Sequence, residues 1–113
     1  MKNWYEDLEP RFRGFEGYYQ ILNLVSDLVK AKNISMTSPE DARDNCLRAI
    51  ILLDYILADP KWKSQSVELF RLREVLASLT TTQPMATWNQ AIDATLLMEP
   101  KAYRFFYNIK DES

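Results

Sequence analysis

Ser38-Pro39-Glu40-Asp41-Ala42-Arg43-Asp44-Asn45-Cys46-Leu47-Arg48-Ala49-Ile50-Ile51-Leu52-Leu53-Asp54-Tyr55-Ile56-Leu57-Ala58 is the stretch whose reading decides the fold. It opens with a hydroxyl that can accept from free backbone N–H groups and a proline whose fixed φ suits the first helical position. Two acids then face the positive end of the helix dipole. Cys46, Ala49, Ile50, Leu53, Ile56 and Leu57 recur at three- and four-residue spacing, which marks one helical face. Leu47, Ile51 and Tyr55 form a second apolar line beside it. A helix apolar over most of its circumference belongs in the middle of a bundle or in a subunit interface. Pro60 disfavours helical geometry at Asp59, so the helix ends near Ala58.

Upstream, Tyr18, Ile21, Leu22, Val25, Leu28 and Val29 repeat the same spacing and predict a helix to about Lys32. Lys30 and Lys32 suit its negative end, and Asn33 offers a left-handed C-cap that would fold Ile34 back toward Val29. The only two glycines, Gly14 and Gly17, form a joint that separates a short N-terminal segment from this helix.

Downstream, Asp59-Pro60 can cap a further helix whose apolar positions Leu69, Leu72, Leu76 and Leu79, helped by Phe70 and Val75, reach about Leu79. Residues 60–65, with Trp62, read either as its first turns or as a separate loop. Thr80-Thr81-Thr82-Gln83-Pro84 breaks the pattern. Thr87-Trp88-Asn89-Gln90 has the spacing of a capping box and starts a shorter helix to about Met98. In the last segment Ala102, Phe105, Phe106 and Ile109 have helical spacing, while Tyr103, Phe105, Tyr107 and Ile109 alternate as in a strand. Helix is the choice, because no second strand is there to pair with it. The expectation is an all-α protein: one domain over residues 1–113, a compact bundle of four main helices with a short N-terminal helical segment and an aromatic C-terminal helix.

Composition fits one core, with 113 residues of which 47% are hydrophobic and 27% charged. One cysteine, Cys46, cannot form an internal disulfide, and the start Met1-Lys2-Asn3-Trp4-Tyr5-Glu6-Asp7 lacks the basic-then-apolar pattern of an export signal. The apolar run Ala49–Leu53 is bracketed by Arg48 and Asp54, far short of the roughly 20 residues that span a bilayer. A cytoplasmic protein with no membrane partner follows. The Asn33-Ile34-Ser35 sequon then reads as chance. A formal charge of −2 gives no general attraction to phosphate backbones. The basic pairs Arg11/Arg13, Lys30/Lys32, Lys61/Lys63 and Arg71/Arg73 are spaced two apart, which does not place both members on one helical face.

The chain has no histidine, which removes the commonest general base and metal ligand. Cys46 lies on the core stripe and reads as a small buried hydrophobe. Glu40, Asp41 and Asp44 are explained by a helix start, and Glu68, Arg71 and Glu74 by exposed ion pairs three residues apart. Asp54 interrupts the apolar centre of its helix and marks its solvent edge. Glycine spacing rules out a phosphate loop. No enzyme, cofactor or metal is expected.

Ten of the fourteen aromatic residues lie toward the ends: Trp4, Tyr5, Phe12, Phe15, Tyr18 and Tyr19 at one, Tyr103, Phe105, Phe106 and Tyr107 at the other. Either the ends fold over the bundle and complete its core, or part of the set is a recognition surface, since aromatics and arginine dominate binding hot spots. The function expected is a non-catalytic protein–protein interaction module, such as a small adaptor, inhibitor or subunit. Its partner, another protein, would meet Trp4, Tyr5, Arg11, Arg13, Tyr103, Arg104, Phe105, Phe106 and Tyr107. The alternative is a nucleic-acid-binding regulator using Lys101, Tyr103, Arg104, Phe105, Phe106, Tyr107 and Lys110, against which the acidic balance argues. A homodimer through Leu47, Ile51 and Tyr55 would cover the second apolar line, which a monomer would have to bury within itself.

Overall fold

The computed structural model describes the backbone of residues 4–111 and the side chains of residues 9–108. Among the described residues six α-helices follow one another: α1 (Trp4–Arg13), α2 (Gly17–Ile34), α3 (Pro39–Ala58), α4 (Ser66–Ser78), α5 (Trp88–Leu96) and α6 (Pro100–Asp111), with a 3-10 segment, Pro60–Gln65, between α3 and α4. No strand occurs among the described residues, so the fold is all-α.

Helix α3 starts as its sequence dictates: Ser38 Oγ accepts from the Asp41 N–H at 3.4 Å and Pro39 takes the first position. It stops where Asp59 turns extended ahead of Pro60. Asp59 then caps the next element by accepting from the Lys61 N–H at 3.1 Å. Residues 60–65 are therefore a separate 3-10 turn, with Trp62 buried in it. The capping box at α5 is reciprocal, Gln90 N–H to Thr87 Oγ1 at 3.1 Å and Thr87 N–H to Gln90 Oε1 at 2.9 Å. At α6 the Glu99 carboxylate accepts from the Ala102 N–H at 3.0 Å, a cap that fixes the ambiguous C-terminal segment as helix.

Two local expectations are corrected. Helix α2 runs through Asn33 to Ile34, and no residue among those described has positive φ. Without a glycine past its end, α2 satisfies its last carbonyls through backbone turns, Ser35 N–H to Lys32 O at 3.3 Å and Ser38 N–H to Ile34 O at 2.8 Å, with hydroxyls added to the same oxygens. Ser35 Oγ donates to Lys32 O at 2.9 Å and Thr37 Oγ1 to Ile34 O at 3.3 Å. Phe70 does not help the core of α4. It points outward and is 58% exposed, because about 100° of rotation per residue carries it off the Leu69, Leu72, Leu76 stripe.

Helices α2 and α3 are the central pair. α4 packs on α3, α5 on α2 and α4, α1 on α3, and α6 on α2 and α5. One continuous core joins Leu24, Val25 and Leu28 of α2 with Ala49, Leu53 and Ile56 of α3, Leu69 and Leu76 of α4, and Leu96 of α5. Phe12, Trp62 and Ala102 close it from the ends. The radius of gyration, 13.9 Å, is close to the about 13 Å of a compact chain this long.

Candidate functional site

Of the described aromatic residues at the N-terminal end, Phe12 is buried, Phe15 and Tyr18 pack partly against the core and Tyr19 is exposed. The side chains of Trp4 and Tyr5 lie outside the described residues. Phe12 is buried against Phe15 and Tyr55, with ring centroids 5.9 and 6.1 Å away. Arg11 and Arg13 are exposed, and Arg13 pairs along its own helix with Glu9 at 2.7 Å.

A polar clasp holds this end down. The last carbonyls of α1 run short of helical partners; the Gly14 and Phe15 N–H groups turn back to Arg11 O and Phe12 O at 3.1 Å, and two distant side chains add to them. Gln20, 0% exposed, donates to Phe12 O at 2.8 Å. The Lys61 ammonium donates to Arg13 O at 3.1 Å and Phe15 O at 2.7 Å, putting positive charge at the negative end of α1. Gln20 also donates to Asp59 Oδ2 at 3.3 Å and accepts from Trp62 Nε1 at 2.7 Å. Burial alone would raise the Asp59 carboxyl. The hydrogen bonds from the Lys61 N–H, Gln20 and the Lys61 ammonium outweigh it and hold the group below the usual carboxylate range. The clasp is closed on itself, because both N–H groups and the oxygen of the Gln20 amide are used.

Helix α6 disperses the other aromatic set. Ala102 is buried and Phe106 packs on the core. Tyr103 and Tyr107 pack with their rings tilted at 52° and centroids 4.8 Å apart along the flank facing α5, where the Tyr107 hydroxyl bonds Asp93. That bond, with burial, pushes the Tyr107 phenol up to about 12. Phe105, 52% exposed, lies on the far flank, about 160° round the helix from Tyr103. Lys101, on the Phe105 flank, sits 4.1 Å over the Tyr18 ring and 3.9 Å from Glu16. Arg104 is exposed between the flanks, and the Lys110 side chain lies outside the described residues. The expected aromatic–basic surface is thus split over two flanks and the interior.

The outer face of α3 and α4 is different. Leu47 is 49% exposed, Ile51 half-buried, and Tyr55 is tucked partly under α1 against Phe12. Ile51, Asp54 and Ala58 continue the outward side of α3, while Phe70, Arg73 and Ala77 run along α4 at the same three- and four-residue steps. The Arg73 guanidinium joins the two stripes, donating to both Asp54 oxygens at 2.6 and 3.2 Å. Asp54 does mark the solvent edge of α3, and its partner comes from the next helix. Phe70, Arg73, Ala58 and Ala77 were not among the residues expected to matter. The signal lies in the Phe70-x-x-Arg73-x-x-x-Ala77 spacing, which falls off the core stripe and matches Ile51-x-x-Asp54-x-x-x-Ala58.

Cys46 is buried, donates to Leu76 O at 3.3 Å, and has its thiol pushed up to about 11 by burial. A cleft of about 350 Å³ between the start of α3 and Trp88 is lined by Arg43, Thr80 and Thr81 among others. Among the described residues no three of the His, Cys, Asp and Glu side chains group in a way that could hold a metal ion, and no helix is long and apolar enough to cross a membrane. No family model, curated protein or solved structure matches this chain.

Proposed function

We propose that the chain is a non-catalytic protein-interaction module, a small adaptor, inhibitor or subunit, that works through the outer face of α3 and α4. The observation that carries this reading is the position of Phe70. A phenylalanine more than half exposed stands one turn from the Asp54–Arg73 ion pair that joins the two helices, on an outward face that also carries Leu47 and Ile51. Large aromatic side chains flanked by arginine are typical of the few residues that dominate binding energy. Neighbouring exposed apolar groups mark a contact surface more often than isolated ones do. The split α6 surface offers no comparable continuity.

A photo-crosslinking amino acid placed at position 70, and separately at the exposed, off-face Asn89, tests the reading in cells of the native host. The expected result is a protein covalently captured from position 70 and none from position 89. Capture from position 89 alone, or from neither, would contradict it.

A further inference from the structure

The outward stripes of α3 and α4 repeat one pattern with opposite charge. Ile51 and Phe70 each precede a charged residue by three positions, and Ala58 and Ala77 each follow it by four. The helices run antiparallel, since Cys46 bonds Leu76 while Asp54, eight residues later, bonds Arg73, three residues earlier. Phe70 therefore lies toward the Ala58 end of the face and Ile51 toward the Ala77 end. Along the axes, the large residues are about 4.5 Å and the alanines about 6 Å from the ion pair.

We propose that this face binds a second copy of the same chain, as a twofold dimer; the proposal rests on the α3/α4 reading above and names its partner. A twofold axis lying in the face and parallel to the helices lays α4 of the second copy antiparallel over α3. Asp54 then meets Arg73 of the second copy, and Arg73 meets its Asp54. Phe70 settles over the small Ala58 of the second copy, and Ile51 over its Ala77. Each charge faces its opposite and each large side chain faces a small one, the self-complementarity that a twofold interface requires. An axis across the helices would set Asp54 on Asp54 and Arg73 on Arg73, so the charges select one docking and reject the other. Glu74, the next exposed group on α4, lies about 100° further round from Arg73, on the side away from α3, and falls at the rim.

Size exclusion with light scattering over a dilution series reads the outcome. The parent chain is expected at the mass of two chains when concentrated, falling to one on dilution. Asp54→Arg and Arg73→Asp each place like charges opposite one another and should weaken self-association by about tenfold or more. An equimolar mixture of the two variants should regain the mass of two chains, because each supplies the charge the other lacks. Ala58→Glu, at an exposed position that makes no ion pair, should also weaken the dimer. Circular dichroism establishes that each variant is folded. A parent of one-chain mass at every concentration, or charge variants that dimerise as the parent does, would overturn the proposal. A monomeric parent whose position 70 still captures a different protein would overturn the dimer alone. Absence of both dimer and capture would remove the interaction reading as well.

Discussion

Gln20 Oε1 accepts a 2.7 Å hydrogen bond from Trp62 Nε1, and both side chains are buried. The pair is the centre of a clasp that ties α1, the start of α2 and the turn after α3 into one unit. Gly17 permits it: a Cβ there would stand 3.1 Å from Trp62 Cζ2, against a ring held in place by its own hydrogen bond.

Replacing Gln20 with leucine keeps the volume but leaves the Trp62 N–H without a partner and removes one of the two hydrogen bonds on the Phe12 carbonyl, whose other comes from the Phe15 N–H. A buried polar group so stranded costs about 1–3 kcal/mol. Urea unfolding of Gln20→Leu should therefore show a midpoint well below that of the parent. An unchanged midpoint would mean that the clasp does not hold the end of α1.

Acid should loosen the same clasp. The Asp59 carboxyl sits below the usual range in the folded chain, so its charged form is favoured by folding. Its contribution is complete above the unfolded pKa of about 4 and is lost as pH falls from there through the folded value. The stability difference between the parent and Asp59→Asn, measured by urea unfolding, should be constant near neutrality and shrink below about pH 4. A difference that does not change down to pH 3 would contradict this sign.

Core and surface leucines should separate cleanly. Leu53 is fully buried at the centre of α3, and truncation to alanine should cost about 2–5 kcal/mol. Leu97, 66% exposed beyond the end of α5, should change stability by no more than about 0.5 kcal/mol when truncated. Thermal melts of the two variants distinguish them, and equal losses would misplace the core.

What could be read from the sequence was what depends on local periodicity and capping. Ser38-Pro39, the Thr87/Gln90 box and the leucine stripe of α4 act within a turn or two, and each appears in the structure where its residues place it. The clasp could not be read that way, because Gln20 lies 39 positions from Asp59 and 42 from Trp62, and nothing in the chemistry of a glutamine announces a distant partner. The α6 aromatics were legible as a set but not as a surface, since their dispersal depends on which flank of the helix α5 and α2 cover. As an apolar residue within the α4 pattern, Phe70 reads in the sequence as a helper of the core. Only the packing of α4 on α3 shows that its direction is outward, and that Asp54 and Arg73 meet.

Fluorine NMR of the chain carrying fluorophenylalanine reports whether the outer face of α3 and α4 is the contact surface. Five phenylalanines give five signals, assignable by single Phe→Leu variants. The Phe70 signal is expected to shift or broaden as concentration rises or a captured partner is added, while the Phe105 signal stays where it is. A Phe105 signal that moves while Phe70 remains fixed would place the contact on α6 and not on the outer face of α3 and α4.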